Sequence, residues 1–98
     1  MTIEIKKNQE ETIIEILGRL DTITAPALDK TINEDIGDPK NLVLDVKGVE
    51  YISSAGLRVL LNAQKKMQAT GTMKVINVCE EVMDIFEMTG FADILTIE

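Results

Sequence analysis

Apolar and polar residues alternate at the start of the chain in the pattern of a β-strand. Residues 3–6, Ile-Glu-Ile-Lys, have the period of two that places successive side chains on opposite faces of a sheet. A polar turn at residues 8–10 separates them from a second strand at residues 12–17, which ends at Gly18. The short connection predicts that these two strands pair as an antiparallel hairpin.

The pattern becomes helical after a loop at residues 21–24. Thr24 stands where it can cap a helix, and Pro26 falls in the first turn, where a missing N–H costs little. The sequence Gly-Asp-Pro at residues 37–39 ends this helix. Its predicted buried stripe consists of three aliphatic residues spaced four apart: Leu28, Ile32 and Ile36.

An apolar run at residues 42–46 predicts a third strand, covered on both faces. A loop at residues 47–52 leads to a second helix, which begins at the serine pair 53–54 and runs to about residue 70 before Gly71. The core positions of this helix are spaced three and four apart: Leu60, Ala63 and Met67, with Leu57 and Leu61 beside them.

Three shorter elements complete the chain: a strand at residues 73–78, a helix at about residues 80–89 that closes at Gly90, and a last strand at residues 94–97. The predicted buried residues of that helix are Val82, Ile85 and Phe86. The order ββαβαβαβ predicts one α/β domain over residues 1–98, a mixed β-sheet with helices packed mainly on one side. Binding surfaces in such sheets form beyond the carboxyl ends of the parallel strands, which directs attention to the loop at residues 47–54.

Composition limits the classes of function. The 98 residues are 45% apolar, enough for a core, and the net charge of −7 argues against a nucleic-acid surface. No stretch approaches the roughly 20 apolar residues that span a bilayer, and residues 1–4 do not resemble the start of a signal peptide. The single cysteine, Cys79, cannot form an internal disulfide. We therefore expect a cytoplasmic protein with no direct membrane insertion.

The same counts argue against catalysis. The chain has no histidine, so it cannot build a Ser-His or Cys-His pair or a metal site that contains histidine. One cysteine excludes a thiolate cluster, and neither a phosphate-binding loop motif nor a GxGxxG fingerprint is present. We predict no catalytic residue, no metal site and no cofactor, and thus a protein that is not an enzyme.

The serine pair stands directly before Ala-Gly-Leu-Arg at residues 55–58. Either Ser53 or Ser54 can serve simply as the N-cap of the second helix. Gly56 costs that helix up to about 1 kcal/mol relative to alanine. Such a glycine indicates that something approaches the backbone closely, which is either a binding partner or a neighbouring loop of the same chain.

Four stretches of the sequence together resemble the STAS domains, and specifically the anti-sigma factor antagonists. The longest is residues 48–61, GVEYISSAGLRVLL. The others are GRLD at residues 18–21, NLVLD at residues 41–45 and FEMTGF at residues 86–91. The resemblance extends over essentially the whole chain in the family's order and spacing, and it implies the STAS fold.

The resemblance also implies a function. In anti-sigma factor antagonists, a serine at the position of Ser54 is phosphorylated by the partner anti-sigma factor, which is an ATP-dependent serine kinase. The unphosphorylated protein binds that kinase and thereby releases the sigma factor, and a metal-dependent serine phosphatase reverses the modification. The implied function is regulation of transcription by partner switching, with phosphorylation at Ser54 blocking the binding.

The implied partner-binding residues lie in two segments of the chain: Asp21, Thr22, Ser53, Ser54, Gly56 and Arg58. Ser53 is a departure, because well-known members carry aspartate there, and it is therefore the alternative phosphoacceptor. Asp21 has a second interpretation as a turn residue that bonds its own backbone. Arg58 has a second interpretation as an ordinary exposed helix residue.

One other class of function fits the same resemblance. STAS domains also occur beside anion transporters and in lipid-transport complexes, so the alternative is an accessory subunit of a membrane transporter or lipid-transport complex. The retained Ser54 favours the switch. A serine hydrolase is disfavoured because the chain offers no histidine to activate a serine.

Overall fold

Four strands form a mixed sheet in the order β1-β2-β3-β4 in the computed structural model, which describes all 98 residues. The strands are β1 (Thr2–Lys7), β2 (Thr12–Leu17), β3 (Asn41–Gly48) and β4 (Thr72–Ile76). β1 and β2 pair antiparallel, whereas β3 runs parallel to both β2 and β4. The predicted hairpin and the predicted mixed sheet are confirmed.

Three helices connect and follow the parallel strands: α1 (Ala25–Lys30), α2 (Ser54–Thr70) and α3 (Glu80–Thr89). A π-helical turn, Thr31–Asp35, extends α1. All three helices contribute to one hydrophobic core of 22 buried residues together with one face of the sheet. The predicted stripe of the first helix is buried in it, whereas Leu61 and Ile85 are only half-buried.

The central strand differs from the prediction of a strand covered on both faces. Leu42, Leu44 and Val46 point into the core, and no helix covers the opposite face. Val43 on that open face is nevertheless buried, because it is in register with Ile13 of β2 and Lys74 of β4. Asp45, next along the same face, is partly exposed.

The predicted last strand at residues 94–97 is wrong. A 3₁₀ turn, Phe91–Asp93, continues as Ile94 and Leu95 both donate their N–H to the carbonyl of Phe91. Only one bridge to the sheet remains, in which Ile97 lies beside Val75. Residues 94–97 therefore do not form a continuous ladder with β4.

Candidate functional site

Two loops meet beyond the carboxyl ends of β2 and β3. Leu20 and Ile52 form a parallel bridge that continues the pairing of the two strands. Three backbone hydrogen bonds hold the loops together, from Gly18 N to Gly48 O (2.9 Å), from Leu20 N to Tyr51 O (3.1 Å) and from Ser53 N to Leu20 O (2.9 Å). The loop at residues 18–24 and the segment at residues 49–54 therefore form one surface.

Ser53 is the N-cap of α2. Its backbone is extended (φ −87°, ψ 173°), and its hydroxyl oxygen accepts a hydrogen bond, 3.4 Å long, from the N–H of Gly56. This bond satisfies one of the N–H groups that a helix leaves without a partner in its first turn. Of the two serines, Ser53 has the structural role.

Ser54 is the first residue of α2, and it is exposed. Its hydroxyl does not cap the helix, because Ser53 does so. It stands at the end of the helix where the macrodipole favours negative charge, so a phosphate attached here suits the local electrostatics. The two serines thus have different structural positions, and the choice of Ser54 as phosphoacceptor stays a prediction.

Gly56 is buried, and it packs against the chain itself. A Cβ atom at this position would lie 2.8 Å from Leu20 Cγ, 2.9 Å from Leu20 O and 3.0 Å from Ile52 Cγ2. The close approach is therefore that of the neighbouring loop. Gly56 itself is buried, and its contact with a partner stays a prediction.

Asp21 holds the first loop in shape. Its Oδ1 accepts the N–H groups of Ile23 (3.0 Å) and Thr24 (3.1 Å), and its Oδ2 lies 3.5 Å from Arg19 Nε. The hydrogen bond from the Thr24 N–H contributes most to a pKa of Asp21 below its usual value, and partial burial opposes the shift. The turn interpretation of Asp21 is therefore confirmed, and its side chain remains partly exposed for other contacts.

Thr24 occupies the N-cap position of α1 but does not cap the helix. Its backbone is already helical (φ −94°, ψ −23°), whereas a capping side chain requires extended backbone. The Thr24 hydroxyl instead donates to Arg19 O (2.7 Å) and accepts from Asp21 N (2.9 Å). The Thr24 hydroxyl therefore stabilises the loop at residues 18–24 rather than the start of α1.

Thr22 and Arg58 both line a shallow groove of about 260 Å³ between α1 and the N-terminal half of α2. The other lining residues are Ala25, Pro26, Asp29, Ala55, Val59 and Asn62. Ala55 follows Ser54 directly, so the groove opens next to the candidate phosphoacceptor. Thr22 and Arg58 are exposed.

Three further residues of this surface were not singled out from the sequence. The Arg19 guanidinium lies 4.4 Å from the centre of the Tyr51 ring, a cation–π contact between the two loops. Ile23 at the tip of the first loop is 87% exposed. The Arg19–Tyr51 contact follows from the bridge between Leu20 and Ile52, the residues next to them in the chain. The sequence alone does not predict that bridge.

Elsewhere the side chains that could support other chemistry are scattered. No group of three or more Cys, Asp or Glu residues is arranged to hold a metal ion. The half-buried Cys79 lies with its sulfur 3.4 Å from Val49 O, to which it donates a weak hydrogen bond. None of the helices is long and apolar enough to cross a membrane.

The four-stranded sheet, the helices on one face and the serine-bearing start of α2 together define a STAS domain. The STAS domain family model matches residues 2–98, and the chain belongs to that family. The family predicted from the sequence motifs is confirmed.

Several sequence relatives of the chain are anti-sigma factor antagonists. The chain is 28% identical over 98 residues to the anti-sigma-B factor antagonist of Bacillus subtilis (strain 168), which covers 99% of this chain and 90% of the relative. The crystal structure of an anti-sigma factor antagonist from Mycobacterium paratuberculosis has a TM-score of 0.88 at 24% identity, covering 98% of this chain and 83% of that one. The Bacillus cell fate determinant SpoIIAA in the phosphorylated form has a TM-score of 0.75 at 16% identity, covering 99% and 91%.

Proposed function

We propose that this protein is an anti-sigma factor antagonist that regulates transcription by partner switching. Unphosphorylated, it binds an anti-sigma factor that is also a serine kinase, and so releases the sigma factor. Phosphorylation at Ser54 blocks this binding. The observation that carries the proposal is the exposed Ser54 hydroxyl, which the capping bond of Ser53 leaves free. Similarity over 99% of the chain to an anti-sigma-B factor antagonist supports it.

The partner surface consists of the two joined loops and the start of α2. Thr22, Ser53, Ser54 and Arg58 lie on or beside the groove, and Asp21 fixes the loop that carries Thr22. Exposed Ile23 adds an apolar contact at the tip. Gly56 contributes indirectly, because its lack of a side chain lets the loop at residues 18–24 pack against α2.

Phosphate at Ser54 would change this surface without disturbing the fold. It adds about −1.5 to −2 charge and three acceptor oxygens at neutral pH. The helix N-terminus tolerates that charge, whereas a partner seated against an uncharged serine loses its contact and meets a desolvation cost. The change is therefore local, and its effect falls on binding.

The chain is then a substrate of enzymes rather than an enzyme. We propose that residues 1–98 act as one STAS domain in the cytoplasm, modified by the kinase and restored by a metal-dependent serine phosphatase. The alternative, an accessory subunit of a membrane transporter or lipid-transport complex, has less support, because sequence relatives that align over almost the whole chain are anti-sigma factor antagonists. A pull-down from the source cell separates the two: a sigma-regulating kinase supports the switch, and a permease or transporter ATPase contradicts it.

The test is a binding and phosphorylation series against the candidate anti-sigma factor kinase. We expect the wild type and Ser54→Ala to bind, and Ser54→Asp to bind at least about tenfold more weakly, because a negative charge enters a surface that the partner contacts when it is uncharged. The kinase should modify the wild type at Ser54, as mapped by mass spectrometry.

Ser53→Ala is the matched control for this series. It should remain a substrate at Ser54 while losing about 1 kcal/mol of folding free energy with its capping bond. Unweakened binding by Ser54→Asp, or phosphate on Ser53 of the wild type, would contradict the proposed switch.

A further inference from the structure

Arg58 carries a positive charge that the unmodified protein leaves without an acceptor. The chain forms four ion pairs, and the cationic members are Lys6, Arg19, Lys30 and Lys74. Arg58 is exposed on α2, and no carboxylate lies within 4.0 Å of its guanidinium. A guanidinium presents five donors in a planar fork that matches phosphate oxygens.

The position of Arg58 on α2 brings it to Ser54. The two residues are four apart on the same helix, and residues at this spacing are neighbours on the helix surface. Cα–Cβ bonds tilt toward the helix N-terminus, so the long Arg58 side chain leads back over the turn that begins with Ser54. The order, with the acidic partner N-terminal to the basic one, is also the more favourable of the two.

Other groups around the site do not compete for this pairing. Arg19, the other arginine of the surface, is held by the carboxylate of Asp21 and the ring of Tyr51. The carboxylate in the groove lining belongs to Asp29, whose Oδ1 accepts a hydrogen bond from the Asn33 amide instead. Arg58 is thus the cation of the groove lining that is free to receive an anion.

We propose that Arg58 binds the phosphate on Ser54 and fixes its position. The guanidinium donates paired hydrogen bonds to the phosphate oxygens, a charge-assisted arrangement stronger than a neutral one. Arg58 lines the groove on the side formed by α2, so a phosphate held by Arg58 adds negative charge to that wall of the groove. Arg58 is a positioning residue, and this proposal rests on the proposed phosphorylation of Ser54.

The test measures the ionisation of the phosphate itself. Phosphoserine is installed at position 54 by chemical ligation or genetic encoding, and its second pKa is measured by ³¹P NMR in the wild-type background and in Arg58→Gln. A nearby guanidinium favours the dianion, so removal of Arg58 should raise that pKa by about half a unit, a value reduced by exposure to solvent. Arg58→Lys should lower the phosphate pKa again, but only in part, because lysine carries the positive charge and lacks the planar guanidinium.

Lys65→Gln is the matched control. It removes one positive charge from an exposed position of the same helix, eleven residues or about 16 Å from Ser54, which exceeds the screening length of about 8 Å. Equal phosphate pKa values in the wild type and Arg58→Gln, or an equal shift in Lys65→Gln, would overturn the proposal. The phosphate is installed without the kinase, so failure here is distinct from failure of the kinase to modify Ser54.

Discussion

Gly56 is the single residue on which the approach of the two loops most directly depends. Alanine would favour the helix by up to about 1 kcal/mol, but its Cβ would meet the Leu20 carbonyl oxygen at 2.9 Å, an atom that the loop pairing holds in place. We expect Gly56→Ala to lower the free energy of unfolding by about 1–3 kcal/mol, measured by urea denaturation.

The control for Gly56→Ala is Ser54→Ala, two residues earlier in the same helix. That exposed position should change the free energy of unfolding by less than about 0.5 kcal/mol. If Gly56→Ala were instead more stable than the wild type, the loop would be free to move away and the packing role of Gly56 would be wrong.

At the scale of single residues, the sequence predicted which positions matter but not all of the residues that they contact. The pair Ser53-Ser54 was identified because it stands at the predicted start of a helix after a strand end, and Gly56 because glycine weakens a helix. Which serine caps the helix depends on which one has extended backbone. Gly56 packs against Leu20, a residue distant from it in the sequence. Both depend on tertiary structure, which local preference does not contain.

The loop at residues 18–24 is an element stabilised by a carboxylate, and its stability should depend on pH. The pKa of Asp21 is lowered in the folded protein, chiefly by the hydrogen bond from Thr24 N–H, from a usual value of 3.8. The stabilisation is therefore complete well above pH 3.8 and is lost as the pH falls through the lowered value.

An NMR titration checks this dependence. The amide signals of Ile23 and Thr24 should shift together with a midpoint below 3.8, because both amides donate to the Asp21 carboxylate. Asp21→Asn should remove the transition while leaving an oxygen that can accept the same bonds. A midpoint at or above 3.8 would contradict the arrangement.

Helices were predicted more accurately than the last strand. The bounds of α2 and α3 agree with the sequence prediction, because each has a periodic buried stripe and a glycine just past its end. Residues 94–97 have the composition of a strand, but the hydrogen bonds of Ile94 and Leu95 go to the preceding turn at Phe91. Composition alone does not decide that competition between local and long-range bonds.

At the scale of the whole molecule, the order of the strands predicts an uneven distribution of stability. β3 is hydrogen-bonded along both edges and lies over the core, whereas β1 pairs along one edge only and is largely exposed. We expect the amides of β3 to exchange with solvent most slowly, and those of β1 and residues 94–98 among the fastest, in hydrogen-exchange mass spectrometry. Equal protection of β1 and β3 would contradict this order.

The location of Ser54 in the first turn of α2 has a consequence for its proposed phosphorylation by a kinase. A helical residue cannot be drawn into an extended substrate cleft unless the helix start unwinds, and here that start is capped by Ser53 and pinned against Leu20. Specificity would then reside in the shape of the folded domain rather than in a short linear consensus. Such an enzyme would recognise the folded surface around Ser54, and it should not phosphorylate an unfolded copy of the same sequence.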